Sequence, residues 1–297
     1  MLSHVFFVRK NWIAVAREAQ RDQRRIVIVV MAVMFLATVG VYGVLALQLD
    51  KGIESFVAEA LSYGLFLAVP VWYALRQRAD GWQRALAAYV LFLAVMLVTD
   101  WFVKGRLDTE LVLSERAKSP RLFVSGIMLL IWVAPLWLMR AYPTQARGIG
   151  LNFERLGHKV LFGTLGAIVL IAHLWITLLY SGVSLSFKPG PFLFFTCCYE
   201  IAAQSLSEEL FFRGFLFNYL YHVRQQRLRW SILIVSLLNV LIYVAKFRPS
   251  GGVFGLVGPV FYAFVMAVLN AMLFRQVGGI LPGLILNVLF SMAGILR

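Results

Sequence analysis

The sequence predicts an all-α fold, a polytopic transmembrane helical bundle of about eight to nine spans. Two observations carry this expectation. Apolar runs of about 20 residues, the length that crosses a bilayer, recur along the whole chain. The composition is 61% hydrophobic and 14% charged, with a mean hydropathy of +0.81. A soluble chain of 297 residues needs more charge than this to cover its surface. Lipid offers the backbone no hydrogen-bonding partner, so open-ended spans must be helical.

Apolar runs broken by charged residues give nine candidate spans, at 26–49, 56–75, 85–103, 122–139, 160–180, 191–221, 231–246, 253–274 and 279–296. Stretches 104–121 and 140–159 read as amphipathic connectors. The chain then divides into a basic N-terminal segment (1–25), a set of N-terminal transmembrane helices (26–180) and a C-terminal core (190–296). The run Ile26–Leu49 is longer than the apolar region of a signal peptide and has no clear small-residue cleavage site, so no cleaved leader is expected. No repeat or low-complexity tract appears.

The formal net charge is +14, which raises the question of nucleic acid. The cations fall in short loops between spans, where they set topology and meet anionic headgroups. No nucleic-acid partner is expected; membrane lipids are. With the N-terminus inside, seventeen Lys and Arg fall in inner segments and ten in outer ones. That bias places the N-terminus in the cytoplasm. Cys197 and Cys198 are neighbours within an apolar run, without metal-site spacing, and read as core packing.

One stretch does not fit its surroundings. SLSEELFFRG (205–214) puts Glu208, Glu209 and Arg213 inside an apolar span. A charge near mid-membrane costs about 2.5–3.5 kcal/mol even on a lenient scale, so three within six positions must pair or face water. Glu209 and Arg213, at i and i+4, can form an ion pair on one helix face. Glu208 is rotated about 100° from Glu209 and need not share that partner. With Glu200, Gln204 and Ser205 it faces a polar seam or a hydrated cavity, as a general base would. Glu200 and Gln204 by themselves read as interhelical hydrogen-bond partners. Later spans add Asn239, Tyr243, Lys246, Asn270, Asn287 and Ser291. A carboxylate opposite amide and hydroxyl donors suits attack of water on a peptide carbonyl.

The Glu208-Glu209-x-x-x-Arg213 pattern resembles the EExxxR motif of the CPBP intramembrane protease family, which includes CAAX prenyl endopeptidases of the Rce1 type and bacteriocin-processing or immunity proteins. GGILPGLILNVLFS (278–291) is similar to the family's final motif, and the resemblance covers about 190–296. It implies an intramembrane endopeptidase of a membrane-associated protein or peptide. Glu208 would activate water, Glu209 and Arg213 would support it, and Asn287 and Ser291 would face the oxyanion. The departures are specific. The family's two histidines fall on Tyr243 and Asn287, its phenylalanine on Asn239 and its last asparagine on Ser291. Tyrosine cannot replace histidine as a base near neutral pH. The expected location is a bacterial inner (plasma) membrane.

Three functions therefore compete: a glutamic-type endopeptidase; a catalytically silent relative that binds a lipid, a peptide or a partner's transmembrane helix; and a proton-coupled carrier, which the lack of repeats disfavours. His173, within the fifth span, reads as a packed, hydrogen-bonded histidine; its alternative is to stand in for a lost one. No HExxH spacing occurs, and no metal or cofactor is expected.

Overall fold

The computed structural model describes residues 53–76, 78–106, 126–182, 190–246 and 254–294. The expected span 26–49, the N-terminal segment and most of the connector 104–121 lie outside these residues. Among the described residues the chain is helical and contains no strand. In chain order the helices are α1 (Ile53–Leu75), α2 (Gly81–Arg106), α3 (Val133–Ala141, entered through a 3₁₀ turn at Leu129–Trp132), α4 (Pro143–Gly148) and α5 (Leu156–Tyr180). Then come α6 (190–223), α7 (Leu228–Lys246), α8 (Phe254–Leu273) and α9 (Leu281–Gly294).

Among the described residues, two helical stretches, Leu156–Tyr180 and Val257–Gly278, are long and apolar enough to cross a membrane, with mean hydropathies of 2.1 and 2.0. Five further apolar helices are shorter. The surface agrees with a lipid environment. On α5, Val169 and Ile176 are both 67% exposed, and Leu161, Leu165 and Ile168 are exposed beside them. An exposed apolar face of this kind marks a surface that meets lipid or another protein.

α6 carries a feature the sequence did not announce. Its 31-residue apolar run (191–221) implies a helix that is tilted, kinked or projecting. The helix is also repeatedly widened, and wide turns are a recognised cause of kinks. An α-helical start (Gly190–Tyr199) passes into a π-helical turn (Glu200–Gln204), one α turn (Ser205–Glu208), then π turns at Glu209–Phe217 and Tyr219–Val223. Wide turns of this kind concentrate at functional sites. The Trp132 indole N–H, arriving from the α3 side, donates to the Ile201 carbonyl at 3.1 Å within the first of them.

The packing is built around α6. α1 packs along α2, α5 along α9 and α7 along α8, while α1 also lies against Glu209–Phe217. Phe66 of α1 stacks on Phe211 at 4.8 Å and meets Phe212 edge-on at 5.7 Å. Tyr73 meets Phe215 at 4.9 Å. Aromatic pairs of this geometry contribute beyond their buried area.

The connector 140–159 proves to be part of the core at one end of the bundle. Ile149 and Leu151 are buried. The Ile280 N–H donates to the Gly150 carbonyl at 3.1 Å, and Asn152 Nδ2 donates to the Gly278 carbonyl at 2.8 Å. Asn218 Nδ2 reaches the Gly148 carbonyl at 2.6 Å. Lys159, by its sequence position a loop cation, is only 1% exposed. Its ammonium donates to the backbone carbonyl of Asn152 at 2.8 Å and to that residue's side-chain oxygen. These bonds tie the starts of α5 and α9 to the last turns of α6.

Gly214 is required where α6 crosses this turn, because a Cβ there would overlap the carbonyl oxygen of Ile149. Backbone cannot move aside as a side chain can. Gly214→Ala is therefore expected to destabilise the protein by about 1–3 kcal/mol. Gly157→Ala, at a helical position open on all sides, should be neutral or mildly stabilising. Thermal unfolding of the two variants in detergent checks the contrast.

Candidate active site

The paired glutamates divide as the helix geometry requires. Glu209 is fully buried and Arg213 is 1% exposed, with Arg213 Nη1 3.1 Å from Glu209 Oε1. The same carboxylate oxygen accepts from Asn270 Nδ2 at 2.9 Å and from Asn287 Nδ2 at 3.0 Å. Asn270 Nδ2 also donates to Asn287 Oδ1 at 2.8 Å, and Arg213 Nη2 donates to the Ala267 carbonyl at 3.2 Å. One carboxylate thus joins α6, α8 and α9. Burying an ion pair needs such added hydrogen bonds, because attraction alone rarely offsets the lost hydration.

Gly283 makes the approach of α9 possible. A Cβ there would lie 2.8 Å from Cδ of Glu209 and 3.2 Å from Cγ of Asn270. The glycine and proline punctuation of GGILPG therefore has a packing reason as well as a turn reason.

Glu208, one position earlier, turns to the other side. It is partly exposed and lines a cavity of about 410 Å³. The polar wall includes Glu200, Gln204 and Ser205 from α6, Asn239 and Tyr243 from α7, and Asn287 and Ser291 from α9. Arg213 and Asn270 also reach it, whereas Glu209 stands behind the wall. The remaining lining is largely apolar, with Leu174, Leu178, Met266 and Phe290 prominent. Of the six residues singled out from the sequence, Glu208, Arg213, Tyr243, Asn287 and Ser291 share this cavity, and Glu209 anchors it from outside.

The cavity has a direction. α5 and α9 run parallel, with Gly163 against Pro282 and Gly166 against Leu286. The Glu209 network therefore sits near the end closed by the Gly278–Gly279 turn. The lining residue Leu178 stands about 18 Å of helix beyond Gly166. Gly258 and Pro259, from the opposite end of the bundle, also line the cavity.

Three features escaped the sequence. Glu200 has a partner within its own helix: the π turn brings residues five apart together, and Ser205 Oγ donates to Glu200 Oε2 at 2.7 Å. Asn270 is visible in the sequence as a polar residue in an apolar span, but not as a direct partner of Glu209. Tyr262 is 8% exposed and lines the cavity, yet nothing in the aromatic run PVFYAFV (259–265) distinguishes it. His173 does not line the cavity. It lies on the exposed side of α5, with Nδ1 2.8 Å from the hydroxyl of Tyr262. It is hydrogen-bonded, as expected, and touches the cavity wall only from behind. Among the described residues, no three His, Cys, Asp or Glu side chains are grouped to hold a metal ion.

Replacing Glu209 by Ala strands the Arg213 charge in the core and should cost about 3–5 kcal/mol. The double variant Glu209→Ala with Arg213→Leu should recover part of that loss. Denaturation midpoints of the two singles and the double give the coupling energy.

Residues 189–293, from the segment entering α6 to the end of α9, match the family of type II CAAX prenyl endopeptidases described as Rce1-like. This is a protease family of integral membrane proteins, and the match covers about a third of the chain, including the whole polar wall described above. No curated protein and no solved structure gives a significant match.

Proposed function

We propose that this chain, Rce1-like over residues 189–293, is an intramembrane endopeptidase of the glutamic type. Its substrate is a membrane-associated protein or peptide. The observation that carries the reading is the meeting of Glu208, Tyr243, Asn287 and Ser291, drawn from three helices, on the wall of one cavity.

The chemistry follows from the donors and acceptors present. The Glu208 carboxylate takes a proton from water as the water oxygen attacks the scissile carbonyl carbon. Negative charge moves to the carbonyl oxygen. Asn287 commits one amide N–H to Glu209 and keeps a second for that oxyanion. The hydroxyls of Ser291 and Tyr243 are further donors. When the tetrahedral intermediate collapses, Glu208 returns its proton to the departing amine and the C–N bond breaks. Glu209 takes no proton in this scheme. Its task, with Arg213, is to hold Asn287 in place, which makes both positioning residues.

A second reading has its own support. The family's histidine positions hold Tyr243 and Asn287, and among the described residues no histidine lines the cavity. A silent relative would keep the cavity to bind a lipid, a peptide or a partner's transmembrane helix.

One variant separates the two. Glu208→Gln should lower cleavage of membrane-anchored reporter peptides in proteoliposomes by about 10²–10⁴-fold, with the thermal unfolding midpoint unchanged. Ser291→Ala should lower it less, by roughly 10²-fold or below. Cleavage at the wild-type rate by the Glu208→Gln protein would overturn the proposal. A wild-type protein that cleaves nothing, together with equal peptide retention by the wild-type and Glu208→Gln proteins, would establish the second reading.

A further inference from the structure

A second cavity lies away from the Glu208 site, on the α1–α2–α3 side of the molecule. It is a groove of about 260 Å³ lined by Val71 of α1, by Arg84, Ala87, Ala88 and Leu91 of α2, and by Val133, Ala134 and Trp137 of α3. The spacing on each wall is helical, so one stripe of α2 faces one stripe of α3. Alanines at three of these positions leave the room. Apart from Arg84 the lining is hydrocarbon and indole.

The polar groups gather at one end. Arg84 lies over the rings of Trp137, at 5.5 Å, and Tyr142, at 4.9 Å, and pairs with Asp80. Arg78 also lies over the Tyr142 ring, at 5.5 Å. Arg140 follows Trp137 by three residues on α3 and is exposed. Asp80 offsets one of these three cations, so the rim stays positive. Tryptophan, tyrosine and arginine together at the ends of apolar helices mark the level of lipid headgroups. Basic pockets between membrane helices are sites for anionic headgroups.

We infer that this groove is a binding site for an anionic phospholipid, with one acyl chain between α2 and α3 and the phosphate at Arg78 and Arg84. A purely apolar groove would accept any acyl chain. The arginine rim is what selects for negative charge, and the contacts of Arg78 with Tyr142 and of Arg84 with Tyr142 and Trp137 hold both guanidinium groups at the mouth. The site is separate from the Glu208 cavity, with which it shares no lining residue.

The test uses the full-length protein in detergent, with native mass spectrometry counting retained lipid and thermal unfolding reporting stability. Phosphatidylglycerol should be retained and raise the unfolding midpoint; phosphatidylcholine with the same chains should do neither. The Arg78→Gln, Arg84→Gln double variant should hold phosphatidylglycerol about tenfold more weakly or worse. Ala134→Phe fills the groove, leaves both arginines in place, and should also lose the lipid. Equal retention of the two lipids, or undiminished phosphatidylglycerol retention in either variant, would overturn the inference. So would full displacement of the lipid by inorganic phosphate alone, which would mark an ion site without a role for the groove.

Discussion

The arrangement of the C-terminal helices depends on one buried carboxylate. Glu209 Oε1 receives Arg213, Asn270 and Asn287, at 3.1, 2.9 and 3.0 Å. No water competes at a fully buried group, so each of these contacts counts for more than it would at the surface, and each loss costs more. The interaction is directional. It fixes which face of α8 and which face of α9 turn towards α6, something that apolar packing in a bilayer specifies poorly. A hydrophobic replacement of the pair could fill the same space, but it would not select the rotation of α9 that carries Asn287 and Ser291 to the cavity.

The widened turns of α6 are the second constraint. In a regular helix Glu200 and Ser205 are five residues and about 140° apart. A π turn between them brings them into contact and sets Glu200, Gln204, Ser205 and Glu208 on one wall. The next π turn begins at Glu209, where the two neighbouring carboxylates part, one to the cavity and one to the core. Wide turns cost backbone hydrogen-bond quality, and their presence at the acidic pair fits a helix shaped for a site more than for stability.

The turn around Gly150 closes the end of the bundle nearest the network. The Gly150 carbonyl accepts from Ile280, Asn152 bonds the Gly278 carbonyl, and the buried Lys159 holds Asn152 in turn. Because this end is pinned, the cavity extends towards the other one.

Much of this was legible in the sequence. Apolar length located most of the described helices to within a few residues of the expected spans, but α3 begins well inside the span expected at 122–139 and the short α4 lies in a stretch read as a connector. The i, i+4 spacing of Glu209 and Arg213 and the 100° offset of Glu208 separated a supporting pair from a cavity residue, because helix geometry is local and periodic. Local periodicity carries no information about which helices become neighbours. The bonds from Asn270 and Asn287 to Glu209 join residues 61 and 78 positions apart. The place of Tyr262 on the cavity wall, the burial of Lys159 and the groove between α2 and α3 likewise arise from packing. The sequence by itself determined that charges had to be buried in apolar helices and which of them could pair. Only the tertiary structure decided what those charges hold together, because that depends on the mutual rotation of distant helices, which long-range hydrogen bonds and close glycine contacts set.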